Sequence, residues 1–568
     1  MKRRGTRPPV VLLTHSNDES NMQQDPTMPH ATAVLFVILS LLWPGAPLAA
    51  EGQTDQPNVI FILADDWGYG DVKCLGGDTC KIETPNMDRL ANEGMIFTDA
   101  HSSSAVCTPT RYSVLTGRYN WRSSLKSSVL RGYSPRLIEA EQSTVAELLR
   151  NHGYQTACIG KWHLGMGMPT TDGAEPSQGK LTLEDVGTPL PPGMTNVDWH
   201  GVISDGPTAL GFSYYYGISA SLDMPPYIWI ENDRFVGACT TIKAFHRPGP
   251  AHADFEDHDV LPVITRKSVE FIHANKDQPL FMYIPLNSPH TPISPSKDWV
   301  GKSSIGPYGD FVMETDWSVG QIVQAVDEAG LSERTLIIVT ADNGCSPAAR
   351  KPNPEPLVFN GAATEPIQAD KHYPSKHYRG HKADIYDGGH RVPFIARWTG
   401  TVPAGSSCDE TVCLVDLFAT CAELIGSTLS ENDAPDSISM LPLLLGETPE
   451  QHREATVHHS INGSFAIRRG MWKLVLCPGS GGWSDPRPPR RNQQITAADI
   501  DQWVQLYNLE QDPAETANLA EQHPELVAEL TDLLQNYVDR GRSTPGEALQ
   551  NTGETHIYPK WIRTLREP

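Results

Sequence analysis

The chain is short of several things, and each shortage excludes something. Its ten cysteines include no Cys-x-x-Cys pair, which excludes a zinc site of the paired-thiolate type. Basic residues are few: 45 Lys and Arg stand against 68 Asp and Glu, a formal net charge of -23. Such a balance argues against nonspecific nucleic-acid binding, because phosphates would be repelled, and a polyanionic ligand would need a locally basic site. After residue 57 no apolar run approaches the roughly 20 residues that a membrane span requires. No internal repeat is present. The one pronounced apolar run, residues 31–43, is itself too short to span. With Ala49 and Ala50 as small residues behind it, it reads as the apolar core of a signal peptide, although the Lys2-Arg3-Arg4 cluster lies far upstream. Initiation at Met28 would bring the start close to this run. Residues 1–50 are therefore expected to be a signal region, and the protein to be exported, periplasmic or secreted, with no cysteine just after the cleavage point to carry a lipid. Export would permit disulfides, with Cys74 and Cys80, or Cys408 and either Cys413 or Cys421, as candidate short bridges.

What is present is a large globular chain. Its 568 residues are 39% hydrophobic and 8% aromatic, enough for a sizeable core and more than one ordinary domain. Short continuous apolar runs at 59–64, 156–159, 279–284 and 335–340 predict strands buried on both faces, and 392–397 predicts another. Between them lie helix signals. Thr84-Pro85 starts one that Gly94 stops, Thr144 with Glu147 forms a capping-box pattern that Gly153 ends, and 260–274, 311–329 and 415–425 are periodic. Residues 166–210 and 346–379 are Pro-rich loops without period, of the kind that shape a cleft. Beyond about 440 the pattern changes: 464–468 and 472–476 flank an Arg469-Gly470 turn, 505–509 predicts a further strand, and 525–539 a helix. The expected fold is α/β: a large domain at 57–435, with a mostly parallel central sheet flanked by helices, and a smaller C-terminal domain at 440–568 with an antiparallel sheet and a helix.

Four separated segments share one layout, a buried strand followed at once by polar residues: Asp65-Asp66, Lys161 with His163, His290, and Asp342-Asn343. In an open parallel sheet ligands bind beyond the carboxyl ends of the strands, so this layout gathers the residues on one edge. Taken singly, each has a plainer reading as a solvated turn or a satisfied histidine. Together, Asp65, Asp66, Asp342 and Asn343 offer only oxygen ligands, which suit Ca2+ or Mg2+ and not zinc. Carboxylates packed so closely repel one another unless a cation lies between them.

One further stretch stands out: Cys107-Thr108-Pro109-Thr110-Arg111, a loop entering the first turn of a helix. A cysteine there is either a nucleophile, its thiol acidified by the helix amides, or a buried structural residue. The stretch resembles the Cys-x-Pro-x-Arg signature of the type I, arylsulfatase A-like sulfatases, which belong to the alkaline phosphatase superfamily. The run from Gly153 to Gly165, GYQTACIGKWHLG, resembles their second signature. Thr110 stands where many members of that family carry serine.

The resemblance implies that Cys107 is oxidised to formylglycine by a maturation enzyme, and that its hydrate, held by Ca2+ (or Mg2+) on Asp65, Asp66, Asp342 and Asn343, attacks sulfur. The second hydroxyl then eliminates sulfate. It further implies that Arg111 holds the hydrate, Lys161 and Lys382 bind sulfate oxygens, His163 is a base, and His290 is the acid for the leaving oxygen. Ser221 is a candidate sulfate contact. The expected activity is hydrolysis of a sulfate ester, with a sulfated carbohydrate favoured over a small aryl sulfate by export and by the long loops. His372, His377, Arg379 and His381 are candidate contacts to an anionic sugar. The alternatives are a phosphoester or phosphonate hydrolase of the same superfamily, and a catalytically silent glycan-binding relative.

Overall fold

Asn58–Ala64 forms the first strand, β1, and all seven of its residues are buried. With both faces covered, an unbroken apolar run is the only pattern such a strand tolerates. The computed structural model describes residues 56–349, 372–449, 453–487 and 503–558, with the backbone of two short strands at 358–359 and 362–363. The expected signal region, most of the loop at 350–371 and the Arg-rich stretch at 488–495 lie outside the described residues.

β1 sits inside a 10-stranded sheet. Parallel to it run β2 (Gln155–Lys161), β3 (Tyr214–Ile218), β4 (Leu280–Pro285) and β5 (Thr335–Ala341), in the spatial order β5-β1-β4-β2-β3. β6 (Phe394–Arg397) joins β5 antiparallel, and short strands close both edges. The register sets Ala64 beside Ala341 and Leu63 beside Pro285, so the chain leaves three neighbouring strands at one level.

The helices are α1 (Pro85–Glu93), α2 (Cys107–Thr116), α3 (Val145–Asn151), α4 (Val260–Asn275), α5 (Pro307–Glu328) and α6 (Leu417–Leu424). Thr144 caps α3 by accepting from Glu147 N at 3.1 Å, as its Thr-x-x-Glu spacing predicts. Thr84 occupies the cap position of α1 but does not cap it, because its hydroxyl accepts from Lys73 N at 2.8 Å. The free amides of α1 donate instead to the Asp316 carboxylate of α5, Asn86 N at 3.1 Å and Met87 N at 2.8 Å. All ten cysteines are free thiols, so neither candidate bridge forms. No helix among the described residues is long and apolar enough to cross a membrane.

The C-terminal region folds as four antiparallel strands, β7 (Thr456–His459), β8 (Phe465–Arg469), β9 (Trp472–Val475) and β10 (Gln505–Asn508), with α7 (Pro524–Asp539) packed on one face. Leu530, Leu534 and Tyr537 of α7 share a core with Val457 and Leu474, and also with Tyr119 and Trp121 from the segment after α2. From Gln53 onward the chain forms one compact unit.

The small sheet holds two loops of the larger one. Ala105 N and Ser104 Oγ both donate to His459 O at 2.9 Å, which fixes the segment ahead of Cys107. Ala383 N donates to Ala105 O at 2.7 Å, and Ile385 N to Ser480 O at 2.7 Å, which ties the segment carrying Lys382 to both. A buried ionic node lies behind these loops: Lys473 of β9 meets Asp387 at 2.9 Å and Glu515 at 2.8 Å. The rings of His390 and His458 stack there with centroids 3.7 Å apart. Burial holds both, and His101 beside them, below the ordinary imidazole range, so neutral rings pack this seam.

The parallel strands approach closely at Gly160, the penultimate residue of β2. Its φ is +137°, and a Cβ there would lie 2.0 Å from Pro285 O of β4. Gly160→Ala is therefore expected to lower unfolding stability by about 2 kcal/mol or more, combining a disfavoured backbone with a clash. Urea denaturation followed by circular dichroism measures this, and an unchanged midpoint would refute the close approach.

Candidate active site

The carboxyl ends of the parallel strands converge on one buried centre. β1 delivers Asp65 and Asp66, β2 Lys161 and then His163, the loop after β3 Ser221, the loop after β4 His290, and β5 Asp342 and Asn343. Cys107 is the first residue of α2, and Lys382 reaches in from the loop that the small sheet braces. The residues expected to bind metal, to act in catalysis or to contact sulfate are all brought to this centre, whereas the candidate sugar contacts at 372–381 are not. Asp65, Asp342, Arg111 and Lys161 have no exposed surface at all.

Three carboxylates face three cations. Lys161 Nζ donates to Asp65 Oδ2 at 2.5 Å. Lys382 Nζ donates to both oxygens of Asp66, at 2.7 and 3.0 Å, and lies 3.8 Å from Cys107 Sγ. Arg111 donates to Asp342 Oδ2 through Nε at 3.0 Å and Nη2 at 2.7 Å, and its Nη1 donates to Lys161 O at 3.0 Å. Burial pushes the Asp65 carboxyl up, but the fields of His290, Lys161, Arg111 and Lys382 prevail and hold it well below the usual range. Burial and the neighbouring Asp65 push Asp342 up to about 7. Burial opposes charge on Lys382, yet Asp66 and Cys107 hold it above the ordinary lysine value.

The histidines take complementary roles through their partners. His163 Nε2 lies 2.8 Å from Leu130 O and must donate to it, which leaves Nδ1 as the unprotonated acceptor. That Nδ1 is buried with no hydrogen-bond partner. Burial and the nearby Lys161 hold His163 well below the ordinary imidazole range, so it is a neutral base. His290 Nδ1 contacts Thr291 O and lies 3.3 Å from Ser221 Oγ, while its Nε2 points to Asp66 Oδ2 at 3.7 Å. Burial lowers His290, while Asp65 and Asp66 favour its protonated form.

The donor set fits a hard cation. Carboxylate oxygens of Asp65, Asp66 and Asp342 lie within 4.8 Å of one another. Asp65 Oδ1 and Asn343 Oδ1 are buried and accept no hydrogen bond, while Asn343 Nδ2 donates to Asp66 Oδ1 at 2.7 Å and so aims its oxygen elsewhere. Ligand atoms of Asp65, Cys107 and His290 also lie within 4.8 Å of one another, which sets the cysteine against one of these carboxylates. Oxygen donors at this spacing suit Ca2+ or Mg2+.

Several expectations change. The Cys107 thiol is not acidified by its helix, because burial raises its pKa against the pull of Lys161 and Lys382. It is a protonated thiol at neutral pH and a poor nucleophile. His372 is not a sugar contact: it is buried, with Nε2 2.7 Å from Asp71 Oδ1, bracing the turn after Asp66. Arg379 donates to Glu515 O at 2.7 Å and lies over the Tyr386 ring, while His381 folds back on Lys382 O at 2.8 Å. His377 packs against the Tyr378 ring, with centroids 4.3 Å apart. Thr110 donates to Ser104 O at 2.9 Å.

Sequence reasoning assigned no role to three residues. Tyr283 sits inside β4 with its hydroxyl against Arg111, and an apolar strand pattern carries no sign of that. Asn287 is buried with both amide atoms unpartnered, and Asp223 is buried beside His290. Both of these follow strand ends, the same layout that pointed to the other residues.

An α/β sheet that gathers a carboxylate cluster, buried cations and a helix-terminal side chain at its carboxyl edge defines a hydrolase of charged esters, of the alkaline phosphatase superfamily. The sulfatase family model matches residues 57–427, and the chain belongs to the sulfatase family. The N-acetylgalactosamine-6-O-sulfatase of Bacteroides thetaiotaomicron is 32% identical over 534 residues, covering 86% of this chain and 95% of that protein. Human arylsulfatase A is 29% identical over 489 residues, covering 82% of this chain and 83% of that protein. A structure solved in a study of the metabolism of multiple glycosaminoglycans by Bacteroides thetaiotaomicron has a TM-score of 0.68 at 30% identity, covering 85% of this chain and 99% of the other. The chain is accordingly a sulfuric ester hydrolase.

Arg111→Ala leaves the buried Asp342 without its direct cationic partner and is expected to cost about 3–5 kcal/mol of stability. Arg111→Lys, which keeps the charge but loses the fork, is expected to recover part of it. Chemical denaturation of the three proteins checks this, and wild-type stability in Arg111→Ala would contradict it.

Proposed function

We propose that this sulfatase hydrolyses a sulfate ester of a carbohydrate, using formylglycine derived from Cys107 and a bound divalent cation, Ca2+ or, with the same donors, Mg2+. The observation that carries the reading is the position of Cys107 Sγ, buried against Lys382 and within 4.8 Å of Asp65 and His290, as a thiol too weakly acidic to attack. An aldehyde hydrate at that position offers hard oxygens to a hard-oxygen site, whereas a thiol offers a soft sulfur. The carbohydrate reading draws on the relative whose name is N-acetylgalactosamine-6-O-sulfatase and on the structure from glycosaminoglycan metabolism. The signal-like run at 31–43 supports an exported, periplasmic or secreted enzyme. Formylglycine at position 107 would require a maturation enzyme to make it from the cysteine.

The roles of the chain's own residues follow from their geometry. Asp65, Asp66, Asp342 and Asn343 would hold the cation, which supplies Lewis-acid stabilisation of charge on oxygen. Arg111, held between Asp342 and the Lys161 carbonyl, orients the side chain of residue 107 from one helical turn away. Lys161 and Lys382 turn from their carboxylate partners toward sulfate oxygens, where negative charge is spread in the transition state. The open Nδ1 of His163 removes a proton from the hydrated side chain. His290, with Nε2 facing the centre, gives a proton to the leaving oxygen, and the incoming anion favours its protonated form. Ser221 steadies His290 Nδ1 and is placed to contact sulfate.

A mass spectrum of the tryptic peptide 90–111 from enzyme made in its native host is expected to show the aldehyde at position 107. An unmodified thiol throughout an active preparation would refute the formylglycine reading. Lys382→Ala is expected to lower kcat for sulfate ester hydrolysis by about 10²–10³-fold, the usual loss of one preorganised transition-state donor. A phosphate monoester turned over faster than the sulfate ester by the wild type would move the reading to a phosphoester hydrolase.

A further inference from the structure

Segments that neighbour the site residues in the chain wall a cavity of about 290 Å³ that the proposed chemistry does not use. Three separated segments build it: Arg131 and Tyr133 after the strandless stretch that follows α2, Gln178 from the long insertion, and Met224 and Pro225 from the loop after β3, joined by Arg247. The segments meet at close range. A Cβ at Gly132 would lie 1.9 Å from Pro225 O, and Gln178 Nε2 donates to Pro248 O at 3.3 Å.

Two of these walls run directly into the catalytic histidines. Leu130, one residue before Arg131, accepts from His163 Nε2 through its carbonyl and donates its amide to Thr108 Oγ1 at 3.2 Å. Asp223, one residue before Met224, lies beside His290, and its carbonyl accepts from Arg247 Nη1 at 3.1 Å. Two lining residues are thus chain neighbours of residues that contact His163 and His290.

The lining is unfinished in a specific way. Tyr133 Oη and Gln178 Oε1, both on lining residues, are buried without a hydrogen-bond partner. Buried polar atoms of this kind are costly unless something satisfies them, and hydroxyl groups of a sugar could do so. Tyr133, Met224 and Pro225 add apolar surface for the C–H face of a pyranose. Arg131 makes no ion pair among the described residues, and Arg247 shares its guanidinium with Asp223 while remaining 46% exposed. Two guanidinium groups at one small cavity are notable in a chain of net charge -23, and their planar forks match a carboxylate or sulfate.

We propose that this cavity is a subsite for the sugar adjoining the sulfated one, and that it selects an anionic group on that sugar through Arg131 and Arg247. The inference rests on the sulfated-carbohydrate reading above. It makes the locally basic site that an acidic protein needs for a polyanionic glycan.

The test uses three disaccharides with one common sulfated sugar, its neighbour being a neutral hexose, a hexuronic acid or a second sulfated hexose. 4-Nitrophenyl sulfate serves as a small reference substrate. The wild type is expected to favour one or both anionic neighbours over the neutral one by about ten-fold or more in kcat/KM, and which one it favours separates carboxylate from sulfate recognition. In Arg131→Gln and in Arg247→Gln this ratio is expected to fall toward one, chiefly through KM. In Lys276→Gln, on the remote surface, it is expected to stay at the wild-type value. Equal kcat/KM on all three disaccharides, or a preference that survives both arginine substitutions, would overturn the subsite while leaving the carbohydrate reading intact. Turnover of 4-nitrophenyl sulfate with none of any disaccharide would overturn both.

Discussion

Six charges buried in one place are the constraint on which the rest of this structure depends. Asp65, Asp66 and Asp342 are matched by Lys161, Lys382 and Arg111, and none of the six is more than 5% exposed. Removing one ion from water costs several kcal/mol, so each must be held against its partner with good geometry or not be ionised at all. The pairs at 2.5 to 3.0 Å meet that condition. The balance is formally neutral, which would do little for an anionic ester. A divalent cation on the unpartnered oxygens of Asp65 and Asn343 would turn it positive, the sign such an ester requires.

Holding that balance explains features distant from it. The parallel register levels the ends of β1, β4 and β5, so their following residues emerge side by side. Gly160 lets β2 close against β4, which brings Lys161 within reach of Asp65. The small C-terminal sheet contributes no member of the six, yet its His459 carbonyl fixes the approach to Cys107, and its bonds to the 383–385 segment fix Lys382. Its role in the site is therefore positional, and the neutral histidines at the seam allow it to pack there without adding charge.

Much of this was legible in the sequence, for a physical reason. A strand buried on both faces has to be apolar throughout, so the runs at 59–64, 279–284 and 335–340 announce both the strand and its end. Residues at or just past such ends lie on the ligand edge whatever the rest of the chain does, which is why the placement of Asp65, Lys161, His290 and Asp342 on one edge is legible in the sequence. Local capping was legible where it was local, at Thr144, and misleading where a distant group intervened, at Thr84, whose helix is capped by Asp316 from another helix. On sequence alone the loop histidines and Arg379 are candidates for ligand contact or plain solvated loop residues, because loops beside a cleft supply both. His372 and Arg379 instead brace the fold, through Asp71 and Glu515.

By itself, then, the sequence determined the strand–helix alternation, the polar residues at the strand ends and an oxygen-only donor set, because each depends on near neighbours in the chain. Only the tertiary structure decided the state of Cys107, since burial raises the thiol while the helix alone would lower it, and burial is a property of the whole fold. The same holds for the open nitrogen of His163, which is set by a carbonyl at Leu130, and for the pairing of each carboxylate with a particular cation. It holds also for the cavity walled by Arg131, Gln178 and Arg247, three residues far apart in the chain that only the fold brings together.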